Sequence, residues 1–477
     1  MNEFQNKRTA VIGLARAGVP AARFLLERGA KVVGFDSKTR EQLSDEVLSL
    51  EREGVELRLG EHDFETIESC DLVVLSPGLK VHFEPLKSVI ERVESAGGEV
   101  IGELELASRF CPCPMIAVTG TKGKSTTVKL ITEMLLACGV EAVSAGNTGT
   151  PLISVLPQLS STSWAVVEVS SFQLEKAPTF KPQIAVLLSL LEDHQDYHPT
   201  LEQYFETKLK IFANQGESDY AIVNSDESRA GSVYFCDNPF GFEFPVEVFT
   251  VRSSGKELDF PPLWAYVKEN YLGVRKSNDK FLPVIDESEV PLSGSHNHGN
   301  LASALCAVLF VLGEFTFKEN VSKIADAIRN FQTLPHRLEI VARIGGVTFV
   351  NDSQSTIPDA SIAALKAFPS PVSLLLGGRA KIGSESYVNL MRAVKEARAK
   401  IYLFGEAAQM LEEVAHRENV EKTSINRENT LAELLQLAKM NASSGETVVL
   451  SPACASFDQF SSYEERGETF KRLAREL

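Results

Sequence analysis

The stretch Met115-Ile-Ala-Val-Thr-Gly-Thr-Lys-Gly-Lys-Ser-Thr-Thr127 decides the fold of this chain. The apolar run from Met115 to Val118 predicts a buried strand, which ends in a turn containing Gly120 and Gly123. A helical pattern follows the turn and ends at Gly139. Glycines let backbone N–H groups close around phosphate oxygens, and a helix N-terminus adds its positive end. Strand, glycine turn and helix together predict a site for a nucleotide triphosphate.

The polar residues of this turn suit the same ligand. Lys124 is expected to neutralise the β- and γ-phosphates, and Ser125 is expected to bind Mg²⁺. The spacing is shorter than in the common P-loop, because Val118 stands where that pattern places its first glycine. A chance glycine turn is the alternative, but the preceding strand and the following helix favour a phosphate loop.

Bulk properties limit the class of protein. A length of 477 residues suggests about three domains, and a net charge of −16 argues against a nucleic-acid-binding protein. The apolar run near residues 301–312 predicts a core helix, and we expect no membrane insertion and no signal peptide. Seven cysteines fit reduced thiols in the cytoplasm. Cys111 and Cys113 are predicted to lie in an extended linker, with a metal site as the second interpretation.

The first hundred residues open like a Rossmann unit. A strand ending at Gly13 leads into a glycine turn and a helix, and Asp36 follows at about the 20-residue distance expected for a ribose contact. Ala15 replaces the middle glycine, and its methyl group crowds a pyrophosphate. The motif is therefore weak evidence for NAD, and a UDP group fits equally well. The strand from Leu72 ends in Ser76-Pro77-Gly78, at the strand end where open α/β sheets bind ligands.

Acidic residues and a histidine follow the strands after the phosphate loop. Glu168 ends an apolar strand, which is the usual place for a Mg²⁺ ligand beside a P-loop strand. The predicted strand from Ile184 to Leu191 runs into Glu192-Asp193-His194. A lone histidine is more often structural, but clustered carboxylates make His194 a candidate metal ligand.

Lys208 occupies an unusual position in the predicted helix from Leu201 to Asn214. It shares one stripe with apolar residues such as Phe205 and Phe212. Lysines in such positions commonly snorkel to solvent. A desolvated lysine has a lowered pKa, and its neutral amine can react with carbon dioxide to give a carbamate, an oxygen ligand for Mg²⁺. The sequence alone makes the carbamate the minority interpretation.

The rest of the chain adds two features. Residues 226–291 have an irregular pattern, for which we expect peripheral strands and loops and no site. Polar residues 296–300 then open an apolar helix, and we interpret them as a nucleotide contact. After a break at Pro335, strands and helices alternate, and polar residues gather where the strands end. One edge of this third domain is expected to face the ATP site.

Four segments resemble the Mur ligase family, and within it the member that adds D-glutamate. They are Gly120-Thr-Lys-Gly-Lys-Ser-Thr126, Glu168-Val-Ser-Ser-Phe-Gln-Leu-Glu175, Leu334-Pro-His-Arg337 and Leu450-Ser-Pro-Ala-Cys-Ala-Ser-Phe-Asp-Gln-Phe460. The resemblance implies three α/β domains: an N-terminal Rossmann-like domain (1–110) for the UDP substrate, a central P-loop ATPase-like domain with a mixed sheet (111–333), and a C-terminal Rossmann-like domain (334–477) for the amino acid.

The resemblance also implies a reaction. D-Glutamate is joined to UDP-N-acetylmuramoyl-L-alanine through an acyl phosphate at the expense of ATP, a step of peptidoglycan precursor synthesis. Catalysis of this kind depends on positioning and electrostatic stabilisation. The small-molecule substrates are the partners, with no nucleic acid, and a monomer is expected. Two Mg²⁺ sites are implied, and the resemblance makes carbamylated Lys208 the preferred interpretation.

Roles carry over residue by residue. The catalytic set is Lys124, Glu168, His194 and Lys208; the metal ligands are Ser125, Glu168, His194 and Lys208. The ATP contacts are Gly120, Thr121, Lys122, Gly123, Lys124, Ser125, Thr126, Asn297, Asn300, Arg337 and Asp352. The UDP-substrate contacts are Arg16, Asp36, Ser37, Ser76, Pro77, Gly78, Asn147 and Gln173. The D-glutamate contacts are Thr356, Lys381, Ser456 and Tyr463.

Three residues depart from the family pattern. Lys122 replaces an asparagine and adds a positive charge beside the phosphates, and Tyr463 stands where phenylalanine is common. Gln354 stands where many relatives have a lysine, so the amino-acid site lacks one cation. We hypothesise that Arg379 compensates, because it lies in the same glycine turn as Lys381.

Three rival functions remain open from the sequence. One is another amide ligase of the superfamily, such as a folylpolyglutamate synthetase. A second is a nucleotide-binding sensor without turnover. The third, an NAD-dependent oxidoreductase, rests only on the first glycine turn and is disfavoured by Ala15.

Overall fold

A computed structural model gives the fold. It describes residues 3–60, 63–191, 197–224, 248–251, 263–275, 280–292, 295–332, 335–369, 371–381, 383–422, 425–428 and 430–477. Three separate sheets lie along the chain, of five, nine and six strands. Such an α/β arrangement with mixed second and third sheets confirms the predicted fold class.

The first sheet is parallel, with the strand order β3-β2-β1-β4-β5. Its strands are β1 (Arg8–Ile12), β2 (Lys31–Asp36), β3 (Glu56–Leu59), β4 (Leu72–Leu75) and β5 (Glu99–Gly102). Its helices are α1 (Gly18–Glu27), α2 (Asp45–Glu53), α3 (Phe64–Glu68), α4 (Leu86–Ser95) and α5 (Glu103–Arg109). The order reverses between β1 and β4, and ligands bind at such a switch point.

Close packing explains the glycine that begins α1. A Cβ atom on Gly18 would lie 1.9 Å from the carbonyl oxygen of Gly13, so only glycine allows the helix to start against the end of β1. This fits the role of the third glycine in a Rossmann turn.

The second sheet has the order β14-β13-β12-β11-β10-β9-β6-β8-β7. Its strands are β6 (Met115–Thr119), β7 (Ala142–Gly146), β8 (Trp164–Glu168), β9 (Ile184–Leu187), β10 (Tyr220–Asn224), β11 (Val248–Val251), β12 (Leu263–Lys268), β13 (Tyr271–Arg275) and β14 (Phe281–Asp286). Its helices are α6 (Lys124–Ala137), α7 (Leu152–Val155), α8 (Ser171–Glu175), α9 (Leu201–Leu209), α10 (Ser295–Glu319) and α11 (Val321–Arg329). Strand β6 lies between β8 and β9, so the phosphate loop leaves the middle of the parallel part.

Three predicted elements have different bounds in the structure. Strand β9 ends at Leu187, and α9 ends at Leu209, where a 3₁₀ turn (Lys210–Phe212) continues the chain. Helix α10 is longer than the predicted core helix, and it is interrupted at Gly313, whose φ is 71°. Glycine adopts this left-handed backbone without steric cost, so the helix breaks there.

The third sheet has the order β15-β16-β20-β17-β18-β19, with only β15 antiparallel to its neighbour. Its strands are β15 (Glu339–Ile344), β16 (Val347–Asn351), β17 (Val372–Gly377), β18 (Lys400–Phe404), β19 (Ile425–Arg427) and β20 (Thr447–Leu450). Its helices are α12 (Pro358–Lys366), α13 (Val388–Ala397), α14 (Ala408–Arg417), α15 (Leu431–Asn441) and α16 (Tyr463–Arg475). Further short 3₁₀ turns are Arg40–Gln42, Leu156–Gln158, Glu287–Glu289 and Ser384–Tyr387.

The chain divides into two compact units. One comprises Met1–Val290 and His296–Phe331, and the other comprises Pro291–Ser295 and Gln332–Leu477. One apolar core in the first unit joins residues of both sheets, from Val11 and Leu104 to Met115 and Phe212. The predicted domain boundaries near residues 110 and 333 stay predictions.

Helix α10 is apolar enough to raise the question of a membrane span. By length and composition alone, Asn297–Glu319 could cross a membrane, but 61% of its most apolar window is buried inside the protein. The core helix of a soluble protein meets the same criteria, so this is weak evidence for a span.

Candidate functional site

The glycine turn between β6 and α6 has the backbone that a phosphate loop needs. Gly120 and Gly123 have φ angles of 147° and 87°, a region that favours glycine. A Cβ atom on Gly123 would lie 2.3 Å from Asn300 Oδ1, so α10 packs directly against the turn. The side chain of Asn300 also donates to Asn297 Oδ1 at 3.1 Å. Both predicted nucleotide-contacting asparagines therefore lie beside the loop.

Lys124 is the first residue of α6. Its Nζ donates to the carbonyl oxygens of Gly120 (2.9 Å) and Thr121 (3.1 Å), which holds the ammonium group over the turn. The N-terminus of α6 adds positive potential at the same place. The turn thus concentrates positive charge where the phosphates are predicted to bind.

Glu168 lies at the end of β8 and is only 3% exposed. Ser125 Oγ donates to its Oε2 at 2.5 Å, while Asn147 Nδ2 (3.1 Å) and Thr148 Oγ1 (2.8 Å) donate to its Oε1. Charge-assisted bonds of this kind stabilise a buried carboxylate. The structure brings together three predicted site residues, Ser125, Glu168 and Asn147, and these hard oxygen donors suit Mg²⁺. Thr148 was not predicted.

Lys208 does not reach solvent, because its side chain is only 2% exposed. Its Nζ donates to the carbonyl oxygen of Gly120 at 3.1 Å and lies 4.7 Å from the centre of the Tyr204 ring. The hydroxyl of Tyr204 lies 3.2 Å from Thr121 Oγ1. Lys208 and Lys124 therefore bind the same carbonyl oxygen from two helices.

The predicted metal-site histidine, His194, lies outside the described residues, together with its acidic neighbours Glu192 to Asp196. Across the described ranges, no group of three or more His, Cys, Asp and Glu side chains could hold a metal ion. The metal-ligand set therefore stays a prediction.

Six of the predicted UDP-substrate residues lie at or just after the ends of β1, β2 and β4, whereas Asn147 follows β7 and Gln173 lies in α8. Ser76 Oγ donates to the carbonyl oxygen of Gly13 at 2.5 Å, across the switch point of the first sheet. Arg16 Nη2 donates to the carbonyl oxygen of Asn147, which links the first glycine turn to the loop beside Glu168. Pro77 and Gly78 follow Ser76, Ser37 is exposed, and Gln173 is buried in α8.

Asp36 has a structural role that the sequence did not reveal. Its two carboxylate oxygens accept hydrogen bonds from the backbone N–H groups of Leu14 (2.9 Å) and Lys38 (3.0 Å). The side chain therefore fixes the turns after both β1 and β2, and it is 9% exposed.

Asp352 anchors the loop after β16 in the second unit. Its Oδ2 accepts from Ser355 Oγ (2.5 Å) and Ser451 Oγ (2.8 Å), and its Oδ1 accepts from the backbone N–H of Leu338 (3.2 Å). Burial raises the pKa of Asp352 to about 6, although these hydrogen bonds oppose the rise. The loops after β16 and β20 are thus joined through one carboxyl group.

The predicted D-glutamate residues lie on the loops that follow β16, β17 and β20. Lys381 Nζ donates to Thr356 Oγ1 at 3.0 Å. Arg379 and Ala455 exchange two backbone hydrogen bonds of 2.8 and 2.9 Å, which places the buried Ser456 next to the glycine turn of Lys381. The four predicted residues therefore converge on one edge of the third sheet, with Tyr463 at the start of α16.

Gln354 contacts both Arg337 and Tyr463. Arg337 Nε donates to Gln354 Oε1, and Gln354 Nε2 lies 3.5 Å from the Tyr463 hydroxyl. Arg379, the hypothesised compensating cation, instead pairs with Glu406 through two hydrogen bonds of 2.9 and 2.8 Å. The compensation by Arg379 stays a hypothesis, since that pair neutralises its charge.

Two residues of this unit were missed from the sequence. Arg466 is fully buried and donates to Ser353 Oγ (3.0 Å), Ser353 O (2.8 Å) and Cys454 O (3.1 Å). His336 has a φ of 65°, a strained value for a residue with a side chain. Backbone strain of this kind clusters at functional sites. In the sequence, His336 was marked only as part of the segment Leu334-Pro-His-Arg337, with no role assigned to it.

Comparisons with known proteins cover nearly the whole chain. Three family models match in order: the "Mur ligase MurD-like, N-terminal domain" (residues 7–102), the "Mur ligase middle domain" (118–308) and the "Mur ligase, glutamate ligase domain" (336–454).

Among curated relatives, a UDP-N-acetylmuramoylalanine–D-glutamate ligase of Pelotomaculum thermopropionicum is 37% identical, covering 100% of this chain and 99% of that protein. The enzyme of the same name from Koribacter versatilis is 36% identical, with 100% and 98% covered.

Solved structures share the fold at low sequence identity. A pseudomurein peptide ligase type C from Methanothermus fervidus is 18% identical with a TM-score of 0.56, covering 99% of this chain and 100% of that chain. The MurF ligase from Thermotoga maritima in complex with ADP is 17% identical with a TM-score of 0.58, covering 100% and 97%.

Proposed function

This chain belongs to the Mur ligase family, and from that premise we propose that it joins D-glutamate to UDP-N-acetylmuramoyl-L-alanine with cleavage of ATP to ADP and phosphate. The carboxylate of the UDP substrate attacks the γ-phosphorus and releases ADP, and the amine of D-glutamate then loses a proton and displaces phosphate from the acyl phosphate. Enzymes of this family use ATP and Mg²⁺. The observation that carries the proposal is the buried pair of Ser125 and Glu168 beside the phosphate loop, 2.5 Å apart.

The loop residues act by charge and position. Lys124 stabilises the negative charge that develops on the γ-phosphate oxygens, and the backbone carbonyls of Gly120 and Thr121 preorganise its ammonium group. Ser125 and Glu168 supply oxygen ligands for a first Mg²⁺, which when bound neutralises the phosphate oxygens. Asn297 and Asn300 contact the nucleotide beside Gly123, and the family resemblance adds Arg337 and Asp352.

We place the UDP end at the switch point of the first sheet. Arg16, Asp36, Ser37 and the turn Ser76–Gly78 hold it, and Asn147 and Gln173 hold the muramoyl part. The bond from Arg16 to Asn147 supports this assignment, because it joins the two predicted regions. D-Glutamate is assigned to Thr356, Lys381, Ser456 and Tyr463, which gather at one edge of the third sheet.

Lys208 is proposed to be carbamylated and, with Glu168 and His194, to hold a second Mg²⁺. Its burial supports this assignment, since a desolvated amine is more easily neutral and nucleophilic. The carbamate is checked by ¹³C NMR of the protein equilibrated with ¹³C-labelled bicarbonate. We expect a carbamate signal in the wild type and none in Lys208→Arg. An active wild-type enzyme without the signal would refute the carbamate.

ADP release with each acceptor amino acid in turn tests the function. Release is expected only when UDP-N-acetylmuramoyl-L-alanine and D-glutamate are both present. Release with a folate and L-glutamate would favour the folylpolyglutamate synthetase alternative, and no release with any acceptor would favour a nucleotide sensor. Arg379→Ala is tested in the same assay, and an unchanged KM for D-glutamate would end the compensation hypothesis.

We further propose that the protein works as a monomer in the cytoplasm without membrane insertion or nucleic-acid binding. Six described cysteines are free, which fits a reducing compartment. Light scattering during size-exclusion chromatography tests the monomer, and a particle mass of about twice 52.3 kDa would contradict it.

A further inference from the structure

One tyrosine connects the first two sheets. Tyr197 lies just before α9 of the second sheet, yet its ring belongs to the apolar cluster on one face of the first sheet, with Val73, Leu75 and Val81. Only 4% of its surface is exposed. The aromatic ring of Tyr197 therefore packs in the apolar core of the first sheet, although the residue belongs to the chain segment of the second sheet.

The hydroxyl group of Tyr197 faces two acceptors on different elements. It lies 2.8 Å from the carbonyl oxygen of Leu79 and 2.6 Å from Glu175 Oε2. Leu79 directly follows the turn Ser76–Gly78, and Glu175 ends α8, the helix that carries Gln173. Burial raises the pKa of Tyr197 well above its usual value, so the hydroxyl keeps its proton and remains a donor.

Aromatic and polar contacts fix the ring and its acceptor. Phe172 of α8 meets the Tyr197 ring edge-on, with ring centres 4.5 Å apart. His82, which follows the turn, lies 6.0 Å from the same ring and pairs with Glu175. Glu175 is almost buried, with 7% of its side chain exposed. Neither Glu175 nor the ring can therefore move without disturbing the other.

We infer that Tyr197 is a positioning residue for the UDP substrate, because it holds the turn Ser76–Gly78 at a fixed place relative to Gln173 on α8. The inference rests on the proposed function. Residues of the turn and of α8 line one pocket together, and Tyr197 forms part of its wall. A substrate bound by both walls needs them at the correct separation, and small misplacements weaken binding and reaction.

Removal of the hydroxyl alone tests the inference. Tyr197→Phe keeps the ring contacts and the core but frees the turn from α8. We expect the KM for UDP-N-acetylmuramoyl-L-alanine to rise about tenfold, equivalent to about 1.4 kcal/mol, with the KM for ATP and kcat within about twofold of wild type. Glu175→Gln keeps an acceptor oxygen, so a smaller rise is expected. Tyr271→Phe, on an exposed hairpin, is the matched control and is expected to behave as wild type.

Calorimetric titration with the UDP substrate in the absence of ATP separates this inference from the proposed function. Weaker binding by Tyr197→Phe than by wild type supports the inference. Equal affinity of Tyr197→Phe and wild type for the UDP substrate overturns the inference and leaves the proposed function in place. A fall in kcat together with equal rises in the KM for ATP and the KM for the UDP substrate would show a general structural role for Tyr197. That result would also overturn the inference. A wild-type protein that does not bind the UDP substrate overturns both.

Discussion

At the scale of single residues, Asp352 combines a predicted functional role with a cost to stability. It is buried, and its pKa of about 6 lies above its ordinary value of 3.8. The folded protein therefore binds this proton more tightly than the unfolded chain does. The associated stability is fully present below pH 3.8 and is lost as the pH rises through about 6.

Asp352→Asn is expected to remove this pH dependence. The amide oxygen can still accept from Leu338, and its NH₂ group can donate to the two serine hydroxyls once they reorient. The variant should equal wild type only below about pH 3.8, where both carry a neutral group, and be more stable at pH 8, by up to about 3 kcal/mol. Hydrogen exchange of peptides covering β16 and β20 in urea measures the difference. Equal protection at pH 8 would show that the ionised carboxyl has no such cost.

At the scale of elements, α6 has a glycine at each end with similar backbone. Gly123 precedes it with a φ of 87°, and Gly139 follows it with a φ of 82°. A Cβ atom on Gly139 would meet nothing within 4 Å, whereas one on Gly123 would collide with the buried Asn300. The two positions therefore share a left-handed backbone conformation but differ in packing.

Gly123→Ala and Gly139→Ala form a matched pair. Both should lose about 1–2 kcal/mol of stability, because alanine is strained in the left-handed region. Only Gly123→Ala should raise the KM for ATP, by at least about tenfold, since the added methyl displaces Asn300 from the loop. Initial rates against ATP concentration measure this, and equal KM values for the two variants would contradict the role assigned to the packing.

At the scale of the whole molecule, the two compact units should respond separately to denaturant. The first two sheets share an apolar core, while the third sheet has its own clusters on its two faces. Both tryptophans, Trp164 and Trp264, belong to the first unit. Tryptophan fluorescence therefore reports one unit and far-UV circular dichroism reports both.

Arg466→Met is expected to lower the urea midpoint seen by circular dichroism and leave the fluorescence midpoint unchanged. The buried guanidinium holds Ser353 and Cys454, and its loss leaves their carbonyl oxygens without donors, at a cost of roughly 2–5 kcal/mol. Arg392→Met, which removes an exposed pair with Glu418, is the control and should shift neither midpoint by much. Midpoints that move together would show that the units unfold as one.

The sequence by itself determined the local architecture. Alternation of apolar runs, glycine turns and helical stripes predicted the strands around the phosphate loop, and polar residues after strands marked the edges where side chains gather. These signals suffice because strand and helix periods are properties of neighbouring residues. The same local signals indicated Ser125 and Glu168 as candidate site residues, whereas the site role of Lys208 was preferred only through the family resemblance.

Only the tertiary structure decided which distant residues share a contact. Arg466 bonds Ser353 across 113 positions of sequence, Tyr197 enters the core of the first sheet, and Asn300 packs on Gly123. No local sequence pattern predicts such pairs, because they depend on how helices and loops pack against the sheets. The grouping of two sheets into one unit was decided in the same way, by a shared apolar core rather than by residue preference.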